Sequence, residues 1–237
     1  MKVLSVNVGL PREVVVGRAT LPHGAGAVGT PVSGSPGASA NDRVVLTSIF
    51  KRPVEGRIPI RGHNLAGDQQ SDLSVHGGRA KAVYAYPHEH YAFWRAQLPE
   101  VELSAGQFGE NLTIEGLLES DVHVGDRLRI GSAELVVTQP RMPCYKLGIR
   151  FDRPDIVKRF LESRRSGFYL QVATEGEVAA GDAIEILERH RAAVSIPEVL
   201  RMYLTEADDP ERLRETIAIP ALSDAWRAHL TEQLAGA

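Results

Sequence analysis

The sequence predicts a mainly β fold with α: a small β-barrel of short strands with peripheral helices, followed by a three-helix unit. Three observations predict it. The turn Val124-Gly-Asp126 leads into an alternating strand and recurs at Ala180-Gly-Asp182; repeated turns between short strands suit a barrel. Apolar, β-branched runs of strand length, bounded by Gly and Pro, recur up to Leu187. After Leu187 a charged junction, Glu188-Arg-His-Arg191, gives way to helical spacing. The expected boundaries are residues 1–190 for the barrel domain, with a low-complexity insertion at 17–41, and 191–237 for the three-helix domain.

Each element has its own local reason. Met1 to Leu10 is apolar but interrupted by Ser5 and Asn7, which suits a strand and not a secretory signal. Residues 17–41 are rich in Gly, Ala, Pro and Ser without sustained apolar periodicity. Such a tract buries too little surface to offset its ordering entropy, so a mobile surface insertion is expected. It contains Gly24-Ala-Gly26-Ala-Val-Gly29, a formal dinucleotide fingerprint. Prolines stand where the preceding strand and following helix are needed, so the match reads as coincidence. Val44 to Phe50 is a strand that Pro53 and Gly56 break, and Arg57 to Ile60 is a second run. Ala82 to Tyr86 is a strand, and Pro87 opens a helix over 88–97 with Tyr91, Trp94 and Leu98 at helical intervals. A Gly-punctuated loop from Ala105 runs into a strand ending near Ile114. Strands follow at Val122–Ile130, Glu134–Thr138 and Gly167–Val172. Between the last two, Asp152-Arg-Pro154 caps a helix whose inward face is Ile156, Val157, Phe160 and Leu161. Ser195, Asp209-Pro210 and Ser223 open three short helices. Those helices make a marginal core alone, so they are expected to dock on the barrel or on a partner.

The totals narrow the function. A formal net charge of −3 removes the case for generic nucleic-acid binding. One cysteine cannot form an intramolecular disulfide, and a reducing, cytoplasmic setting is expected. No apolar run approaches a membrane span. Serine-hydrolase chemistry lacks its G-x-S-x-G signature. His88-Glu-His90 does not make a zinc site, because helix positions i and i+2 do not share a face. Asp68 and Asp72 could be an acid pair, but Gly67 and Ser71 beside them suggest loop hydrogen bonding.

The residues with most chemical content surround the single cysteine, in Thr138-Gln-Pro-Arg-Met-Pro-Cys144-Tyr-Lys-Leu. Pro140 and Pro143 stiffen the approach, so Cys144 is expected on a rigid loop at a strand end. Arg141 and Lys146 would favour the thiolate. From these residues alone Cys144 is either a soft metal ligand or an inert buried thiol.

These stretches together resemble the MOSC family, the molybdenum-cofactor sulfurase C-terminal domain, of the YiiM type with a C-terminal three-helix domain. The resemblance rests on Leu65-Ala-Gly-Asp68, Asp72-Leu-x-Val-His76-Gly-Gly78-x-x-Lys81-Ala-Val-Tyr-x-Tyr86, Gly106-x-Phe-Gly-Glu-Asn111, Val124-Gly-Asp126 and Thr138-Gln-Pro-Arg141-x-Pro-Cys144-x-Lys-Leu, over residues 43–187. The 17–41 insertion departs from it but leaves these motifs intact.

The resemblance implies a β-barrel that binds the molybdenum cofactor (molybdopterin). Cys144 maps onto the family's key cysteine and would ligate molybdenum. Lys81 and Arg141 would bind the cofactor phosphate or a pterin carbonyl, Arg with a bidentate fork and Lys as a point charge. Asn111 would meet the pterin edge with donor and acceptor, and His76 would contact the cofactor or orient its loop. The implied activity is reduction of small N-hydroxylated compounds, such as hydroxylaminopurine base analogues, to amines. No flavin or nicotinamide signature is present, so an external electron-donor reductase is the expected partner. The alternatives are a sulfur carrier with a persulfide on Cys144, and a non-catalytic cofactor-binding protein. Oligomeric state is not readable from the sequence.

Overall fold

The computed structural model describes residues 1–17, 30–31, 42–70, 78–204 and 209–236. Its strands are β1 (Lys2–Val8), β2 (Arg12–Val16), β3 (Thr30–Pro31), β4 (Arg43–Thr47), β5 (Arg52–Val54), β6 (Ile58–Arg61), β7 (Asn64–Leu65), β8 (Val83–Pro87), β9 (Leu112–Glu115), β10 (Arg127–Ile130), β11 (Ala133–Pro140), β12 (Phe168–Thr174), β13 (Gly176–Val178) and β14 (Ile184–Glu188). Its helices are α1 (Glu89–Gln97), α2 (Tyr145–Phe151), α3 (Ile156–Ser163), α4 (Ile196–Leu204), α5 (Pro210–Ile217) and α6 (Asp224–Gly236). Most of the 17–41 tract, with its fingerprint-like run, lies outside the described residues, as does His76.

The fold is mixed α/β and the expected closed barrel is not formed. Eight strands make one open sheet in the order β14-β10-β11-β12-β8-β9-β1-β5, antiparallel except for the β8–β9 pair. The sheet curls far enough for its ends to touch. Lys2 and Ala183 form an isolated bridge, and Val3 exchanges backbone bonds with Gly181 and Asp182. These contacts join only the first residues of β1 to the turn before β14, while β5 pairs with the C-terminal half of β1, Val6 to Val8.

The repeated turn is real as local geometry. Gly125 and Gly181 both take positive φ, 94° and 92°. Asp126 accepts from the His123 N–H and Asp182 from the Ala179 N–H, the same three-residue reach. One turn feeds β10 and the other β14, which pair with each other.

Two boundaries differ from the sequence reading. Pro53 does not end a strand; it lies inside β5, which pairs only with β1 at the sheet edge, where a missing N–H is tolerated. Asp152 does not cap the start of α3. It takes the left-handed conformation (φ 51°) that ends α2, its N–H bonding to Gly148 and Ile149 carbonyls.

Of the three apolar clusters among the described residues, two hold most of the buried side chains. The larger lies between the sheet and the C-terminal helices, where Leu128, Leu135 and Val137 belong to one cluster with Ile196, Val199, Leu213, Trp226 and Leu230. The second is aromatic. Tyr86, Tyr91, Trp94, Phe108, Phe151 and Phe160 pack together between β8, α1, α2 and α3. Both tryptophans are core residues, as their helical spacing predicts.

Candidate functional site

The ends of β4, β5, β7, β8, β9, β11 and β12 and the start of α2 converge on one cleft of about 670 Å³, counting its open mouth. Its wall includes Lys81, Asn111, Arg141 and Cys144, so four of the five sequence-predicted site residues come together. His76 lies outside the described residues.

Cys144 is the N-cap of α2, four residues beyond the end of β11. The loop expected at the strand end is Arg141 to Pro143, but Cys144 itself stands at the start of α2, which was not legible. Tyr145, Leu147 and Ile149 alternate like a strand, and Gly148 weakens helix propensity. The glycine lets the end of α2 lie against the next segment: a Cβ there would stand 3.4 Å from the Arg153 carbonyl oxygen. Lys146 is buried on the first turn of α2 and lines the same cleft.

Arg141 is 5 % exposed. Its guanidinium lies over Tyr84 at 5.2 Å and Phe160 at 5.0 Å from the ring centroids, which fixes its plane. Its Nη1 has no hydrogen-bond partner among the described residues. A buried cationic donor of this kind fits an anionic or carbonyl oxygen of a bound group. Lys81 ends a 3₁₀ turn at Arg79–Lys81 that leads into β8. Burial pushes its ammonium below the usual lysine value, and the neighbouring Cys144 sulfur opposes that shift. Tyr84 and Tyr169 close the aromatic side of the cleft, and burial raises both phenols.

Asn111 lines the cleft, but its amide is committed to the protein. Oδ1 accepts from the Tyr84 N–H at 3.1 Å, and Nδ2 donates to Asp68 at 2.8 Å and to the Asn7 carbonyl at 3.4 Å. Glu110, fully buried, holds the loop before it by accepting from the Gly106 and Phe108 N–H groups, the Tyr91 hydroxyl and the Thr113 hydroxyl. Gly106 must be glycine: its φ is +82°, and a Cβ would stand 2.9 Å from the Lys51 carbonyl oxygen.

The centre of this bracing was only half visible beforehand. Asp68 is buried in a loop, as its neighbours suggest, but its partner is Lys51, whose Nζ lies 2.5 Å from both carboxylate oxygens. The Gly9 N–H adds a further bond at 2.8 Å. Asp68 thereby ties together the ends of β1, β5, β7 and β9. Burial lowers the Lys51 pKa more than Asp68 restores it. No local pattern marks Lys51, because a lysine after a strand usually faces water. Asp72 lies outside the described residues.

The neighbouring histidines have structural partners: His90 bonds Glu119, and His88 stacks on Tyr91. Among the described residues no three His, Cys, Asp or Glu side chains are grouped to hold a metal. A metal at Cys144 would therefore be held by this one side chain together with ligands that a cofactor brings.

The order of motifs and the domain pattern decide the family. Residues 72–185 match the MOSC domain and residues 194–237 the YiiM-like 3-alpha helix domain. The chain belongs to the MOSC family and is YiiM-like. It is 36 % identical to Protein YiiM of Escherichia coli over 76 % of this chain and 81 % of that protein. The crystal structure of YiiM from Geobacillus stearothermophilus superposes with a TM-score of 0.74 at 30 % identity, covering 98 % of each chain. A protein of Gibberella moniliformis named Reductase is 32 % identical over 74 % of this chain but only 32 % of its own length. In this YiiM-like chain, no helix among the described residues is long and apolar enough to cross a membrane.

Proposed function

We propose that this YiiM-like protein is a molybdenum-cofactor-dependent reductase that converts small N-hydroxylated compounds, such as hydroxylaminopurines, to amines. One observation carries the reading: the only thiol lies in the same cleft as Lys81, Lys146 and an Arg141 whose buried Nη1 has no hydrogen-bond partner among the described residues. A soft sulfur beside fixed cations suits a thiophilic metal on an anionic carrier. The MOSC membership and the relative named Reductase support the same direction.

Cys144 would hold the metal through its sulfur, and Arg141 and Lys81 would hold the phosphate or a pterin carbonyl. His76, two positions before Gly78 in the sequence, belongs to the same proposed set, and Asn111 contributes mainly by fixing Asp68 and Tyr84. When bound, the cofactor supplies the two-electron redox chemistry. The protein binds and orients the reactants, excludes bulk water, and keeps cations where negative charge must sit. Conversion of R–NHOH to R–NH2 and water takes up two electrons and two protons, so an external electron-donor reductase is part of the proposal.

The test is metal and turnover together. Protein purified from cells that make the cofactor is expected to carry one molybdenum per chain and to reduce a hydroxylaminopurine with a chemical electron donor. Cys144→Ala is expected to lose both while its thermal midpoint stays close to that of the cofactor-free parent. A labile sulfur adduct on Cys144 without molybdenum would overturn the reading in favour of sulfur transfer. Bound cofactor without turnover would overturn it in favour of a carrier.

A further inference from the structure

Arg141 Nη1 is not alone. Ser48 Oγ and Gln70 Oε1 line the same cleft, are buried, and also have no hydrogen-bond partner among the described residues. Ser48 is 8 % exposed. Most buried polar atoms in folded proteins are paired, so three unpaired ones on a single cleft point to a ligand that pairs them. Their chemistry can be read. The Gln70 amide donates from Nε2 to the Lys81 carbonyl at 3.0 Å and to the His63 carbonyl at 3.5 Å. That fixes its orientation and leaves Oε1 as an acceptor. Ser48 can donate or accept, and Arg141 only donates. Asn111, the residue whose type best suited a pterin edge, has its donors engaged by Asp68 and Asn7.

We infer that Gln70 and Ser48, acting with Arg141, form the hydrogen-bonding face that recognises a fused heterocycle with amino or ring N–H donors beside an oxo acceptor. Gln70 Oε1 accepts from an N–H of the ring system, Arg141 Nη1 donates to its oxo or phosphate oxygen, and Ser48 Oγ pairs with whichever edge lies between. This inference rests on the proposed function and assigns these atoms to the resident pterin and not to the exchanging substrate. Ser48 and Arg141 are more than nine-tenths buried, as suits contacts to a group that stays.

The experiment compares Ser48→Ala, Gln70→Met and the parent protein, purified from cells that make the cofactor. Each is assayed for pterin released per chain by oxidative fluorescence, for thermal midpoint, and for substrate KM. Each variant is expected to retain about tenfold less pterin, the effect of losing one hydrogen bond to a buried group. Ser48→Ala is expected to hold or raise the midpoint of cofactor-free protein, because it removes an unpaired buried hydroxyl; a structural serine would lower it. Full pterin content in both variants overturns the inference, and a raised KM alongside it reassigns the atoms to the substrate. A parent protein with neither pterin nor molybdenum overturns the proposed function as well.

Discussion

At Lys51 and Asp68, two opposite charges are nearly sealed from water, with side chains 10 % and 3 % exposed. Removing one partner leaves an uncompensated buried charge, which typically costs about 3–5 kcal/mol, whereas removing both costs far less. Lys51→Met is therefore expected to destabilise by about 3–5 kcal/mol, and Lys51→Met with Asp68→Asn to recover most of it, measured by urea unfolding. The sign of the pH effect follows from burial. The folded Lys51 pKa lies below the ordinary 10.5, so between the two values the unfolded chain binds more protons. Stability should rise as pH climbs through that window. Lys81 acts on binding instead. Its ammonium loses its proton at a lower pH than a free lysine, so anion retention in the cleft should fall as pH rises below 10.5. Lys81→Arg keeps its charge throughout that range and should flatten the profile of retained cofactor against pH.

Local backbone decides more at the element scale than composition does. Ala193 takes φ 46° in the turn that leads from the sheet into α4. A left-handed alanine costs about 1–2 kcal/mol that glycine does not. Ala193→Gly is expected to raise unfolding free energy by about 1 kcal/mol, a gain that shows as a shifted denaturant midpoint with an unchanged slope. Asp209 shows a cap that the sequence declared openly: it accepts from the Glu211 and Arg212 N–H groups at 3.0 Å each, with Pro210 at the first helical position. Asp209→Ala should cost about 1 kcal/mol in the same assay. The start of α2 was not declared, because Cys144 is not among the side chains that favour an N-cap. Its helix exists because Leu147 and Phe151 complete the aromatic core, and that packing overrides weak propensity.

Across the whole molecule, the three C-terminal helices share one apolar cluster with the sheet. They were expected to dock on the barrel or on a partner, and they dock on the sheet. Removing residues 192–237 would uncover the face of β11 that α4 covers. The truncated chain is expected to aggregate or to lose its cooperative transition, seen by size exclusion and circular dichroism. The full chain is expected to unfold in a single transition despite its two family segments. A donor-docking role for these helices is therefore better tested by reversing surface charges on α5 or α6 than by truncation. Unchanged donor-driven turnover in such variants would sink that role.

What the sequence by itself determined is the inventory and its order: a lone cysteine between prolines and cations, glycines where the backbone turns, capped helices after Leu187, and strands between them. Those are local properties, written in propensity, turn chemistry and spacing. Only the tertiary structure decided how the two ends of the sheet meet, through a single bridge from Lys2 to Ala183 in place of a continuous ladder. It also decided that Asn111 braces Asp68 while Gln70 and Ser48 face the cleft. Partner choice by a polar side chain depends on which strand ends meet, and the residues concerned lie up to about a hundred positions apart in the chain. Folding brings them within hydrogen-bond reach, and no local window of the sequence contains both members of such a pair.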